Sequence, residues 1–67
     1  METKFVTPNQ RSYLLTKTIE RAPNLDTDTF WENSKTLTEK EYRTLLAYYY
    51  NHNYDYFEDG IRKLILR

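Results

Sequence analysis

Residues 37–50 read Leu-Thr-Glu-Lys-Glu-Tyr-Arg-Thr-Leu-Leu-Ala-Tyr-Tyr-Tyr and carry the strongest helix signal of the chain. In a capping box, the Thr38 hydroxyl accepts from the backbone N–H of Glu41, and the Glu41 carboxylate accepts from the backbone N–H of Thr38. Leu37, just before the box, supplies one half of a hydrophobic staple. Apolar residues then recur along one helix face: Tyr42, Leu45, Leu46 and Tyr49. The pattern predicts a helix over 39–51.

A second marked helix start opens the chain. Thr7 can cap a helix while the Gln10 side chain reaches back to it, and Pro8 fits the first helical position, where its missing N–H costs nothing. The residues that follow predict an apolar stripe: Leu15, Ile19 and Ala22. Because Pro23 disfavours helical backbone at the residue before it, we expect this helix to span 8–21.

Two further segments complete the predicted fold. Residues 26–29 offer several caps and place carboxylates at a helix N-terminus, where the helix dipole favours them, so a short helix is expected over 27–34. The Asn-His-Asn turn at 51–53 ends the preceding helix, since Asn tolerates left-handed backbone. Segment 54–66 carries an apolar stripe of five residues: Tyr54, Phe57, Ile61, Leu64 and Ile65. Gly60, inside this segment, predicts a kink or the close approach of another backbone.

These patterns predict an all-α fold, a small bundle of three longer helices and one short helix: about 8–21, 39–51 and 54–66, plus about 27–34. A single small helical domain is expected over residues 1–67, of which 1–6 are expected to be flexible. No stretch alternates long enough between apolar and polar residues to predict a strand. The predicted core contains Leu15, Ile19, Phe30 or Trp31, Leu37, Tyr42, Leu45, Leu46, Tyr49, Phe57, Ile61 and Leu64.

Composition limits the classes of function. The chain has 67 residues, with 10 Lys and Arg against 10 Asp and Glu, so its formal net charge is zero. General binders of nucleic acid or membrane surfaces are normally basic, which argues against both. With no Cys and one Gly, the sequence offers no disulfide framework and no glycine-rich phosphate loop.

The sequence also carries signals of cellular location. No apolar run reaches the length of a transmembrane helix, and the N-terminus lacks the pattern of a secretory signal. We therefore expect an intracellular, cytoplasmic protein with no membrane partner. The bias toward Lys, Asn, Tyr, Ile and Thr is typical of AT-rich genomes and suggests a phage or another mobile element as the source.

The reactive side chains favour a protein without catalytic activity. Ser12 and Ser34 lie in no nucleophile elbow, and both are expected to face solvent. The one histidine, His52, is expected to cap a helix end or lie on the surface, since no zinc-ligand spacing includes it. Acidic residues cluster at 26–28 and 55–59, where they complement helix N-termini and miss the spacing of a calcium loop. We expect no catalytic residue, no cofactor and no metal site.

Aromatic residues are the unusual feature, since seven Tyr, three Phe and one Trp make up 16% of the chain. A domain this small cannot bury them all. Three interpretations stay open: the rings wrap a thin core, they bind another protein or a second copy of the chain, or they stack on nucleic-acid bases. Tyr is enriched at protein interfaces because it combines large area with few rotors and a polar tip. The predicted partner-binding residues are Tyr48, Tyr50, Tyr54, Tyr56 and, if the short helix leaves it exposed, Trp31.

The sequence thus favours a small non-enzymatic regulator or inhibitor that binds another protein through a tyrosine-rich surface, with a homodimer as the structural alternative. The alternative function is a helix-turn-helix-like DNA-binding transcriptional regulator, because the pattern at 37–42 occurs often at the first helix of such domains. A recognition helix over 54–66 would then present three carboxylates to DNA phosphates, which repel them: Asp55, Glu58 and Asp59. DNA binding is therefore ranked second.

Parts of the chain resemble segments of two known families. Residues 12–15 and 37–41 are similar to segments of the small Hha/YmoA nucleoid modulators, although the Asp-His pair of that family has no counterpart. Residues 37–57, including Asp55-Tyr56-Phe57, resemble the later helices of the succinate dehydrogenase flavinylation factors, although the Arg-Gly-x-x-Glu motif of that family is absent. Each resemblance covers less than half of the chain. Both families consist of small helical proteins that dock on a larger protein, so the resemblance implies the same mode of action.

Overall fold

The structure is a computed structural model that describes residues 4–66. Four α-helices follow one another, with one 3-10 turn after the second: α1 (Pro8–Arg21), α2 (Thr27–Asn33), the turn Ser34–Thr36, α3 (Glu39–Tyr50) and α4 (Tyr54–Leu64). The predicted all-α bundle of three longer helices and one short helix is confirmed. Across residues 4–66 the extended backbone is limited to one isolated bridge between Phe5 and Thr38.

Side-chain caps begin three of the helices. Thr7 and Gln10 form the predicted capping box of α1, with N···O distances of 2.8 and 3.2 Å. The second predicted box begins α3, where Thr38 and Glu41 exchange bonds of 3.0 and 3.1 Å. Asp26 caps α2 by accepting from two backbone N–H groups, and these bonds lower the pKa of its carboxyl. The caps explain why the starts of these helices agree with the sequence pattern.

The turn between α3 and α4 corrects one detail of the prediction. The residue in the left-handed region is His52, with φ of 61°, and not one of its two Asn neighbours. Asn51 instead caps α3, and its side-chain amide donates to the Ala47 carbonyl at 2.9 Å. The three-residue turn makes α3 and α4 an antiparallel hairpin.

Residues 4–6 pair with the segment that begins α3. The Val6 N–H donates to the Leu37 carbonyl, and the Glu39 N–H donates to the Lys4 carbonyl, both at 3.0 Å. The Val6 side chain is buried in the core. Residues 1–6 were expected to be flexible, and the apolar pattern did not reveal this pairing. Residues 1–3 lie outside the described part of the chain.

Helix α1 is rotated relative to the predicted apolar stripe. Its buried side chains are Arg11, Leu14 and Thr18. Leu15 is only half-buried and Ile19 is 37% exposed, so the prediction of Ile19 as a core residue is wrong. Arg11 lies on the buried face and donates hydrogen bonds to Ser34 and to the Trp31 carbonyl, and a stripe defined by apolar residues alone misses such a contact.

The core lies where the four helices and residues 4–6 meet. Its buried hydrophobic residues are Val6, Leu14, Phe30, Leu37, Tyr42, Leu45, Phe57, Ile61 and Ile65. Of the two aromatic candidates on α2, Phe30 is fully buried and Trp31 is half-buried. Four predicted core residues are half-buried at its margin: Leu15, Leu46, Tyr49 and Leu64. The predicted core therefore included the centre of the observed core and omitted Val6, Leu14 and Ile65.

Helices α3 and α4 make the most extensive helix contact of the described fold. A Cβ atom added to Gly60 would lie 2.5 Å from Leu45 Cδ2. The predicted close approach at Gly60 is thus made by a buried side chain of α3, and the missing Cβ lets the two helices pack there.

Candidate functional site

The five predicted partner-binding residues lie in three places. Tyr48 and Tyr56 pack against each other with ring centroids 5.6 Å apart. Tyr50 and Tyr54 each lie against Tyr49, at 5.5 and 5.6 Å. Successive helix residues are about 100° apart, so Tyr48 and Tyr50 are on opposite flanks of α3. The sequence grouped these tyrosines, and the structure separates them.

On one flank, four rings form the tyrosine cluster: Tyr13, Tyr49, Tyr50 and Tyr54. Its hydroxyls bond within the chain, Tyr50 to Tyr13 and Tyr49 to the Glu20 carboxylate. The bond to Glu20 is the main cause of a raised pKa at Tyr49. Because Tyr13 and Glu20 belong to α1, these bonds hold α1 against the α3–α4 hairpin.

Cations complete the tyrosine cluster. The Lys17 ammonium lies 5.3 and 5.4 Å from the ring centroids of Tyr13 and Tyr49. The Arg21 guanidinium lies 4.1 Å above the Tyr54 ring and also contacts the Glu58 carboxylate at 3.6 Å. Such cation–π contacts stabilise the packed arrangement of the rings. The cluster therefore uses its ring faces as well as its hydroxyls inside the chain.

Trp31 has a structural contact of its own. The guanidinium of Arg11, which is only 8% exposed, lies 3.9 Å from the Trp31 ring centroid. Arg11 Nε donates to Ser34 Oγ at 3.0 Å, and Arg11 Nη2 donates to the Trp31 carbonyl. Ser34 is fully buried, so its predicted exposure to solvent is wrong. Trp31 covers a buried cation and is no longer a strong candidate for partner contact.

On the other flank, α3 and α4 border an apolar groove, the α3–α4 groove, with a volume of about 350 Å³. Its floor and walls are mainly apolar: Leu45, Tyr48, Gly60 and Leu64. Lys40 and Lys63 lie on its rim at the end opposite Tyr48. Tyr56 is 64% exposed, the most exposed of the large hydrophobic side chains in the described residues, and its ring packs on Tyr48 beside the groove.

Sequence reasoning found Tyr48 and Tyr56 and missed the groove beside them. The missed residues Lys40 and Thr44 share a helical spacing with Tyr48, because the three recur every four positions along α3. That spacing places them on one side of the helix. A search for apolar stripes gives no weight to Lys and Thr, so the signal was present but not counted.

A second groove, of about 480 Å³, separates the end of α1 from α4. Buried Phe57 and Ile61 contribute to its lining, and the Arg21–Glu58 ion pair lies at its edge. Its lining also includes Leu66, the last described residue. It is the larger of the two grooves, but it contains none of the predicted partner-binding residues.

Groups that would indicate metal or membrane binding were also sought. Between Lys4 and Leu66, no cluster of three His, Asp or Glu side chains is arranged to hold a metal ion. His52 is exposed, and its Nδ1 lies 2.8 Å from the Tyr54 hydroxyl. No helix within the same range is long and apolar enough to span a bilayer.

No family model, curated protein or solved structure matches this chain. The two resemblances noted from short segments therefore gain no support from whole-chain comparison.

Proposed function

We propose that this chain is a small non-enzymatic regulator or inhibitor that binds another protein through the α3–α4 groove and the adjacent pair Tyr48 and Tyr56. The observation that carries the proposal is the position of Tyr56. Its ring is 64% exposed and lies against Tyr48 at the edge of an apolar groove. Exposed aromatic rings beside a groove are typical anchors of protein interfaces.

The contrast with the tyrosine cluster supports this choice of surface. Tyr50 is also exposed, at 56%, but its hydroxyl bonds to Tyr13 and its ring packs on Tyr49. Within residues 4–66, neither Tyr48 nor Tyr56 makes a side-chain hydrogen bond comparable to those of the cluster. Their hydroxyls and the outer face of Tyr56 are available to a partner without loss of an internal contact.

The reactive groups support a role without catalysis. Ser34 is buried between Arg11 and the Trp31 carbonyl. His52 contacts Tyr54, and it does not lie beside a serine or threonine hydroxyl in the described hydrogen-bond network. A histidine beside such a hydroxyl is a common way to activate a nucleophile. Binding is the function that this set of side chains serves best.

DNA binding remains the weaker proposal. Helices α3 and α4 are joined by a short turn, as in a helix-turn-helix. The first turns of α4 nevertheless carry Asp55, Glu58 and Asp59, which face the same phosphate repulsion that the sequence predicts. Lys63 and Arg62 lie in the last turn of α4, far from the end that a recognition helix inserts.

A pulldown from source-cell extract tests the proposal. Tagged wild-type protein is compared with Tyr56→Ala and with Tyr50→Ala, a matched control of the same residue type and similar exposure. We expect Tyr56→Ala to reduce the retained protein at least tenfold, as for an interface anchor, while Tyr50→Ala retains it. Equal retention by both variants, or retention of nucleic acid in place of protein, would overturn the proposal.

A further inference from the structure

We infer that the α3–α4 groove binds a short acidic amphipathic helix of the partner protein. This inference rests on the proposed function and specifies the chemistry of the partner. Apolar side chains of the helix fill the groove between Tyr48 and Leu64, and its carboxylates contact Lys40 and Lys63. The two parts of this claim follow from the lining of the groove and from the charges on its rim.

The lining of the groove matches apolar side chains. Leu45 and Leu64 come from two helices, and Gly60 between them contributes no side chain. The absent Cβ of Gly60 lets α4 lie close to Leu45, since a Cβ there would lie 2.5 Å from Leu45 Cδ2. Apolar groups that enter the groove leave water at little polar cost, which is the basis of helix-in-groove recognition.

The charges available at the rim are positive. Lys40 makes no ion pair with any residue in 4–66, and Lys63 pairs only with Asp59, at 3.0 Å on an exposed surface. An exposed pair of this type is weak and can exchange its partner. The Glu41 carboxylate, although it also lines the groove, accepts from the backbone and hydroxyl of Thr38. A ligand therefore meets the Lys40 ammonium, a Lys63 ammonium shared with Asp59, and a Glu41 carboxylate whose Oε1 already accepts from Thr38.

The groove is asymmetric, and its length suits a helix. Because α3 and α4 are antiparallel, Lys40 and Lys63 share one end while Tyr48 and Tyr56 share the other. From Lys40 to Tyr48 the helix rises about 12 Å, which is roughly two helical turns. A bound helix of similar length would place carboxylates at the lysine end and apolar residues, spaced three or four apart, along the rest.

A second copy of this chain is a poorer occupant. Most carboxylates of α3 and α4 already have partners within the described residues: Glu39 with Arg43, Glu41 with Thr38, Glu58 with Arg21 and Asp59 with Lys63. Of the carboxylates on α3 and α4, a copy that docked in the groove could offer Lys40 only Asp55 without giving up one of these contacts. A partner helix with free carboxylates gives up no such contact.

Selection from a displayed library of random helical peptides tests the inference. The library is panned against the wild type, Lys40→Glu/Lys63→Glu, Lys40→Gln/Lys63→Gln and Arg62→Glu. Arg62 is an exposed cation of α4 outside the α3–α4 groove, and Arg62→Glu lowers the net charge by the same amount as Lys40→Gln/Lys63→Gln, for which it is the matched control. The wild type and Arg62→Glu should select apolar peptides enriched in Asp and Glu. The Gln variant should lose this enrichment, and the Glu variant should favour Lys and Arg.

The dissociation constants of selected peptides test the inference quantitatively. An acidic peptide should bind the wild type at least tenfold more tightly than the Lys40→Glu/Lys63→Glu protein and should lose its binding to Tyr56→Ala. The inference would be overturned if no peptide bound above background, if the selected peptides showed no preference for acidic residues, or if the acidic peptide bound both proteins equally. If the molecular mass doubles as the protein concentration rises, and this dimerisation blocks peptide binding, the occupant of the groove is a second copy of the chain. If Tyr56-dependent retention from extract persists in any of these cases, the proposed function stands and only the acidic helix is wrong.

Discussion

The two flanks of the α3–α4 hairpin use the same residue type for different purposes. In the tyrosine cluster, hydroxyls and ring faces bond to α1 and to its charged side chains, so the rings join helices of the same molecule. Beside the α3–α4 groove, Tyr48 and Tyr56 pack on each other and leave Tyr56 exposed. The partners that its own chain supplies thus decide whether a tyrosine joins helices or stays exposed.

The largest expected contrast is in thermal stability. Tyr49→Ala removes the ring that contacts Tyr50, Tyr54 and Phe57, and we expect it to lower Tm by about 10 °C. Tyr56→Ala should lower Tm by less than about 4 °C, since the ring is mostly exposed. Thermal unfolding followed by circular dichroism measures both. Equal losses at the two positions would remove the distinction between the flanks.

The packing beneath the groove can be tested by coupling Gly60 to Leu45. In the wild type, Gly60→Ala should change the free energy of unfolding by less than about 1 kcal/mol, because a gain in helix propensity of about 1 kcal/mol is offset by the cost of displacing Leu45. In a Leu45→Val background the Cδ2 atom of Leu45 is absent. Gly60→Ala should then raise the free energy of unfolding by about 1 kcal/mol. Urea unfolding of the four proteins gives the coupling energy. The same cycle with Leu64→Val is the control, and coupling of equal size there would argue against this contact.

The turn that joins α3 and α4 has a residue in the left-handed backbone region. His52 holds a φ of 61°, where a side chain carries a steric cost and glycine does not. Glycine avoids this cost but gives the unfolded chain more conformational entropy. With both effects counted, the free energy of unfolding of His52→Gly should exceed that of His52→Ala by about 1 kcal/mol. Both variants remove the imidazole, so their difference in urea unfolding reports the backbone alone. If alanine were the more stable of the two, the left-handed turn would be wrong.

The smallest expected effect is a pH dependence restricted to the tyrosine cluster. The Glu20 hydrogen bond raises the pKa of Tyr49 in the folded state. The resulting stability is present below the unfolded pKa of tyrosine and is lost as pH rises through the folded value. Tyr49→Phe should be less stable than the wild type at about pH 8, and the difference should narrow toward about pH 11. A difference in Tm that does not change with pH would mean that Glu20 does not hold the hydroxyl.

Much of the fold was predictable because it depends on local chemistry. The capping boxes at Thr7 and Thr38 specify helix starts from residues three positions apart, and both form in the structure. The exposure of Tyr56 was also predictable, because the chain has more aromatic rings than a small core can bury. The apolar stripe on α1 failed because Arg11 finds its partners 20 and 23 residues away, at the Trp31 carbonyl and Ser34. No local pattern encodes such a contact.

The sequence alone determined where helices begin, that the fold is all-α, and that more aromatic rings exist than a small core can shelter. These properties arise from neighbouring residues and from composition, which need no knowledge of chain packing. Tertiary structure decided which rings are joined to α1, which lie beside a groove, and which face of α1 is buried. Those outcomes depend on hydrogen bonds and close contacts between helices distant in sequence, such as Tyr13 with Tyr50 and Gly60 with Leu45.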